Sequence, residues 1–157
     1  MSTATVEVEV ASPFPANKVF KVYNDFHNIA PKVFPKVFKS IETVEGDGGV
    51  GTIRLFTFGD DVPFTSAKYK QETIDSSDFT YNYTFFEGDN LIGILDSINY
   101  RIKIVPTDGG CIYKQTVIYN CKGDEKPSAE FLKLEKELYE KTYKAIEEYA
   151  AAHAELY

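Results

Sequence analysis

The chain changes its hydrophobic rhythm several times, and each change predicts an element. From Thr5 to Val10, "TVEVEV", apolar and acidic residues alternate strictly. That period of two marks a strand with one wet face. "SPFPANKVFKVYNDF" follows, with Ser12 placed as an N-cap and Val19, Phe20, Val22 and Tyr23 at the spacing of a short amphipathic helix. In "HNIAPKVFPKVFKS" a second short helix should end near Pro31 and Pro35, because proline disfavours helix in the residue before it. Alternation then returns in six segments rich in β-branched and aromatic residues: "SIETVEG", "GTIRLFTFG", "TSAKYKQETID", "FTYNYTFFEG", "SINYRIKIVP" and "CIYKQTVIYNC". Clusters of Gly, Asp, Ser and Asn separate them, as tight turns require. After Pro127 the period becomes helical. Phe131, Leu134, Leu138, Tyr139, Ala145, Ile146 and Tyr149 predict one helix from Ser128 to about Ala152. At ~1.5 Å per residue it is long enough to cross a whole sheet.

Strand, two short helices, six strands and a long helix make an α+β domain with its helices on one side of an antiparallel sheet. With the first strand paired into it, the sheet has seven strands, enough to curl around whatever packs on it. The 157 residues suit a single domain spanning 1–157.

Charge and composition narrow the function classes. A net charge of -7 gives no basic footprint and argues against nucleic acid as a partner. No window approaches the length of an apolar span, so no membrane partner is expected. The opening "MSTATVEVEV" lacks the basic and apolar regions of a secretion signal, and a cytoplasmic protein is expected. Cys111 and Cys121 fall on one predicted strand, ten steps of ~3.3 Å apart. That is too far for a disulfide or a shared metal, and His27 and His153 have no ligand partner at useful spacing. No metal or cofactor is expected. No large exposed apolar stripe is evident, so a monomer is expected.

Two features carry candidate chemistry. The first is "VEGDGGVGT", whose Gly46, Gly48 and Gly51 match G-x-G-x-x-G, with Gly49 between them. A dinucleotide site needs a helix directly after the glycines, and a phosphate loop needs Lys after the last one. Here Thr52 and a strand follow, and Asp47 would repel phosphate. The run reads as a rigid hairpin connection that uses positive φ. The second feature is the aromatic content of 15%, with 12 Phe and 11 Tyr. Every second strand residue shares a face, so Phe56 and Phe58 align, as do Phe79, Tyr81, Tyr83 and Phe85. Tyr100, Ile102 and Ile104 form another such row, and Ile112, Lys114, Thr116 and Ile118 a fourth. Core packing explains any one of them. Several buried tyrosines together, each needing a hydroxyl partner, point to an apolar chamber with a few polar handles.

The glycine run at a strand-to-strand turn after two short helices resembles that of the birch-pollen major allergen family, the plant pathogenesis-related proteins of class ten. "PKVFPKVFKSIETVEGDGGVGT", "FTYNYTFFEGD", "IKIVPTDGG" and "YNCKGDEKPSAE" agree in order and spacing over nearly the whole chain. The resemblance implies the helix-grip fold: a seven-stranded sheet wrapped around a long C-terminal helix, two short helices in a V, and a large hydrophobic cavity between. It places Tyr23, Asn28, Phe58, Phe64, Tyr81, Tyr83, Tyr100, Ile102, Thr116, Leu134 and Leu138 on the cavity wall. Ala30 and Ser66 stand where relatives often carry larger residues. The implied role is binding, storage or carriage of small apolar plant metabolites (flavonoids, phenolics, cytokinins or other hormones), with a part in plant defence and allergenicity.

Enzymatic alternatives come from the same resemblance. A ribonuclease site would use the glycine loop with Glu45, Arg54, Glu147 and Tyr149, Arg54 standing where relatives more often have Lys. The norcoclaurine synthases join an amine to an aldehyde with Lys, Glu, Asp and Tyr. Tyr81 and Tyr100 occupy the Lys and Asp positions here, which removes the general base, although other specialised plant metabolism in the same cavity stays open. The gate "SGLPA" of the related abscisic-acid receptors is absent.

Overall fold

The alternation of "TVEVEV" extends two residues further in each direction than the pattern alone predicts, and strand β1 runs Thr3–Ser12 in the computed structural model, which describes residues 2–157. Helices α1 (Ala16–Asn24) and α2 (Phe26–Val33) follow. Then come β2 (Phe38–Glu45), β3 (Ile53–Phe58), β4 (Ser66–Asp75), β5 (Thr80–Gly88), β6 (Leu95–Thr107), β7 (Gly110–Cys121) and α3 (Ala129–Ala152). All seven strands form one antiparallel sheet in the order β1-β7-β6-β5-β4-β3-β2. Consecutive strands from β2 to β7 are neighbours, and β1 closes on β7. The α1–α2 pair carries the chain from one edge to the other.

Local signals explain the boundaries. Ser128 caps α3, its Oγ accepting the Phe131 N–H at 3.0 Å. Ser12 does not cap α1; Pro15 holds the N-cap position, and Ser12 Oγ accepts the Phe14 N–H at 3.2 Å in the turn before the helix. Proline there needs no amide partner, so the turn and the helix start share the segment without conflict. Pro31 lies in the last turn of α2, which ends at Val33, before Pro35. Cys111 and Cys121 stand as buried thiols at the two ends of β7.

The face that β7 turns inward corrects the sequence reading. Thr116 and its row-mates Ile112, Lys114 and Ile118 point away from the core, while Cys111, Tyr113, Gln115, Val117, Tyr119 and Cys121 are buried. Register decides this. Residues directly opposite in an antiparallel pair share a face. Val117 lies opposite Tyr100 of β6 and Val6 of β1, and Gln115 opposite Ile102 and Val8. Both neighbours present their apolar rows inward at those positions. Apolar residues occupy both faces of β7, so its own alternation carried no preference.

Candidate functional site

Between the concave sheet face and α3 lies an aromatic hollow of about 70 Å³. Its walls include Phe38, Phe56, Phe58, Phe64, Tyr83, Phe85 and Tyr100 from the sheet side, Phe26 from α2, and Glu135, Leu138, Tyr139, Thr142 and Tyr143 from α3. That volume holds a few water-sized spheres, whereas pockets for organic ligands run to ~300–1,000 Å³. The large cavity implied by resemblance is therefore narrow here. Rings crowd it: Tyr83 stacks on Tyr100 at 4.8 Å and 12°, and Phe56 sits 5.1 Å from Phe85.

The polar handles form a chain of phenols. Tyr139 OH bridges Tyr100 OH at 2.8 Å and Tyr119 OH at 2.6 Å. Nearby, Tyr113 OH donates to Gln115 Oε1 at 2.8 Å, and Tyr143 OH donates to the same oxygen. Burial pushes the Tyr83, Tyr100, Tyr113 and Tyr139 hydroxyls well above the ordinary phenol range, so they stay protonated and able to donate. Gln115 Nε2 is buried without a partner.

The hollow opens outward. A surface groove of about 560 Å³ runs between the 61–64 loop and α3, and it shares Val62, Phe64, Glu135 and Leu138 with the hollow. Glu135 stands at this mouth, where burial pushes its carboxyl up to about 7. Asp89 pins the loop from behind, accepting the Thr65 N–H at 2.7 Å and the Ser66 N–H at 3.2 Å.

Behind the hollow is a smaller polar recess of about 20 Å³, lined by Tyr23, Asn24, His27, Arg54, Gln71 and Tyr81 among others. It shares Phe26, Tyr83 and Tyr143 with the hollow. Of the expected wall residues, Phe58, Phe64, Tyr83, Tyr100 and Leu138 meet in the hollow, and Tyr23 and Tyr81 in this recess. Ile102 is packed into the core at 2% exposure and lines neither space. Leu134 is 57% exposed in the outer groove. Asn28 is exposed on α2 and donates to Asp25 Oδ1 at 2.7 Å. Thr116, on the outer sheet face, stands opposite Arg101 and Glu7.

The α3 residues Glu135, Tyr139, Thr142 and Tyr143 escaped the sequence reading as site residues. Their spacing of four, three and one was legible as a helical stripe, but it mixes charged, phenolic and hydroxyl side chains that an apolar count overlooks.

The ribonuclease candidates do not line one common recess. Arg54 is 4% exposed and donates through Nε to Thr43 Oγ1 and through Nη1 to Tyr69 OH and Gln71 Oε1. Glu45 is exposed at the end of β2, and Glu147 lines a neighbouring recess with Lys18, which shares Tyr23 and Tyr113 with the one holding Arg54. Tyr149 stacks on His153 at 4.0 Å. In the glycine loop, Gly46, Gly48 and Gly51 have φ of +97°, +101° and +92°. Its amides are used internally: Gly48 N–H donates to Thr52 Oγ1, Gly49 N–H to Asp47 Oδ1 and Gly51 N–H to the Gln71 carbonyl. Gln71 Nε2 in turn donates to the Gly48 and Gly49 carbonyls. This is a latched hairpin turn whose Gly48, Gly49 and Gly51 amides are already taken.

Comparison with known proteins gives a consistent picture. The Pathogenesis-related protein Bet v 1 family matches residues 1–153. A root allergen protein of Taraxacum officinale is 48% identical over 154 residues, covering 97% of this chain and 98% of that protein. A protein of Panax ginseng named Ribonuclease 2 is 43% identical over 148 residues, covering 94% and 97%. The crystal structure of Ara h 8.0201 superposes with a TM-score of 0.85 at 33% identity, covering 97% of this chain and all of that one.

Proposed function

Because the chain belongs to the Pathogenesis-related protein Bet v 1 family, we propose that it binds small aromatic, apolar plant metabolites (flavonoids, phenolics, cytokinins or other hormones) between sheet and α3, in a plant defence setting. The observation that carries this reading is the continuity of a phenylalanine-walled, tyrosine-floored hollow with an open groove. A ring entering there meets apolar walls, and neutral phenols supply hydrogen bonds that fix its orientation.

The narrow hollow sets the mode of entry. Phe58, Phe64 and Leu138 are only partly buried, and the groove gives Phe64 and Leu138 room to swing outward. A guest burying ~300 Å² of apolar surface gains about 7 kcal/mol at ~25 cal/mol per Å². Part of that is lost to repacking and ordering, which leaves affinity weaker than micromolar, roughly tens to hundreds of micromolar.

Titration with Nile red and competition by flavonoids and phenolics tests the reading. Saturable displacement at one site is expected, and Tyr83→Ala should weaken or reorder the ligand series while the fold survives. Unchanged affinity of that variant for every ligand would remove Tyr83 from the site. The competing ribonuclease reading predicts RNA cleavage by a carefully purified sample that is lost in Glu147→Gln, with no displacement of the dye. Arg54 is already held by Thr43, Tyr69 and Gln71, which speaks against that outcome.

A further inference from the structure

Arg54 brings a permanent positive charge into the interior with no carboxylate to meet it. Among the described residues only neutral groups accept from it, namely Thr43 Oγ1, Tyr69 OH and Gln71 Oε1. The ion pairs among the described residues all lie elsewhere on the surface, at Lys68–Glu87, Lys103–Asp78 and Lys114–Glu9. A guanidinium cannot shed its proton, so a buried one is costly unless a negative group completes it.

His27 supplies a second, independent sign in the same recess. Its Nδ1 is buried and has no hydrogen-bond partner. Asp25 is the carboxylate that acts on this ring, and its two oxygens are already taken by Asn28 Nδ2 and the Tyr157 hydroxyl. Burial first, and the Arg54 charge second, push the His27 pKa down, which leaves a neutral ring beside a cation. The recess of about 20 Å³ admits one small polar group, and its shared wall of Phe26, Tyr83 and Tyr143 places that group at the end of an aromatic ring lying in the hollow.

We propose that Arg54 and His27 form an anion subsite, which holds the ionised carboxylate of an aromatic acid whose ring occupies the adjoining hollow. This rests on the binding role proposed above and names the ligand class within it. Arg54 provides the charge, and the neutral acceptors Tyr69 and Gln71 hold the guanidinium in place for the incoming oxygen.

Calorimetric titration with 3-phenylpropionate and its uncharged twin 3-phenylpropionamide, near neutral pH, tests it on the intact chain. The acid should bind at least about tenfold more tightly than the amide, because a charge-assisted bond replaces a neutral one. In Arg54→Met the acid should fall to the affinity of the amide, and in Arg54→Lys a preference for the acid should return. Thermal melts establish that each variant is folded; if Arg54→Met is not, the wild-type ratio and Arg54→Lys still decide. Equal affinities in the wild type, or a preference that survives Arg54→Met, overturn the subsite while the amide's binding keeps the general reading intact. If neither compound binds and Nile red is not displaced, the binding reading falls and the subsite falls with it.

Discussion

The two ends of the hollow are bounded by different physics. At the glycine-loop end, closure is polar and directional: Thr52, Gln71 and Asp47 take up the loop amides, and Arg54 is held by three neutral oxygens beneath. At the mouth, the 61–64 loop faces α3 across an open groove, with Phe64 and Leu138 half-buried and Leu134 mostly exposed. That loop is anchored on both sides. Gly59 N–H and Asp61 N–H donate to the Val37 and Lys36 carbonyls, and Asp89 holds Thr65 and Ser66. Hydrogen bonds demand one geometry, whereas apolar contact tolerates many. The difference assigns rigidity to one end and adaptability to the other, on a single helix and sheet.

The sharpest way to break this contrast is along α3 itself. Ile146 is fully buried over the sheet, and Leu134 is 57% exposed at the mouth. Ile146→Ala should cost about 2–5 kcal/mol, the transfer loss plus an unfilled void. Leu134→Ala should stay within about 0.5 kcal/mol, as surface changes do. Urea denaturation of both variants gives the numbers. A Leu134→Ala cost above that of Ile146→Ala would mean that the mouth, too, is firmly packed.

The closed end yields a smaller but more local effect. A Cβ on Gly46 would lie 2.8 Å from Thr52 Cα, on backbone with φ of +97°. Gly51 has φ of +92° but open space around it. Gly46→Ala should therefore destabilise by about 2–3 kcal/mol and Gly51→Ala by about 1 kcal/mol, since only the first adds a backbone collision to the φ strain. Equal costs in urea melts would show that the loop relaxes freely and that its latch through Gln71 is weak.

Much of this architecture was legible because strand alternation and helix periodicity report burial directly. "TVEVEV" announces which side of β1 is wet, and Ser128 with Pro127 announces where α3 begins. The hairpin reading of the glycine run needed only the strand that follows it. The site was legible in part. In the row Tyr81–Tyr83–Phe85 the intervening residues Asn82 and Thr84 are polar, so its direction was plain. Thr116 was misplaced because β7 carries apolar residues on both faces, and only pairing with β1 and β6 settles its register. Asn28 was misplaced because an eight-residue helix turns by ~100° per residue, and a one-step error moves a side chain from wall to solvent. The solitary charge of Arg54 was invisible for a different reason. Whether a cation finds a carboxylate depends on neighbours from other strands, which no local pattern encodes.

The mildest test of the contrast is electrostatic and concerns the mouth. Glu135 is expected to ionise at about 7 in the folded chain because burial opposes its charge, against an ordinary ~4.3 when unfolded. Between those values the folded state binds more protons than the unfolded one. Stability contributed by this group is then fully present below ~4.3 and declines as pH rises toward 7. Glu135→Gln should flatten that part of the stability–pH profile and leave the profile outside it parallel to the wild type. The effect should be smaller than that of either glycine change, since the side chain borders open groove and water screens it. Denaturation midpoints measured across the window check the sign. A wild-type profile that rises with pH there, with the Gln variant flat, would place Glu135 in a solvated or cation-paired setting and make the mouth as polar as the closed end.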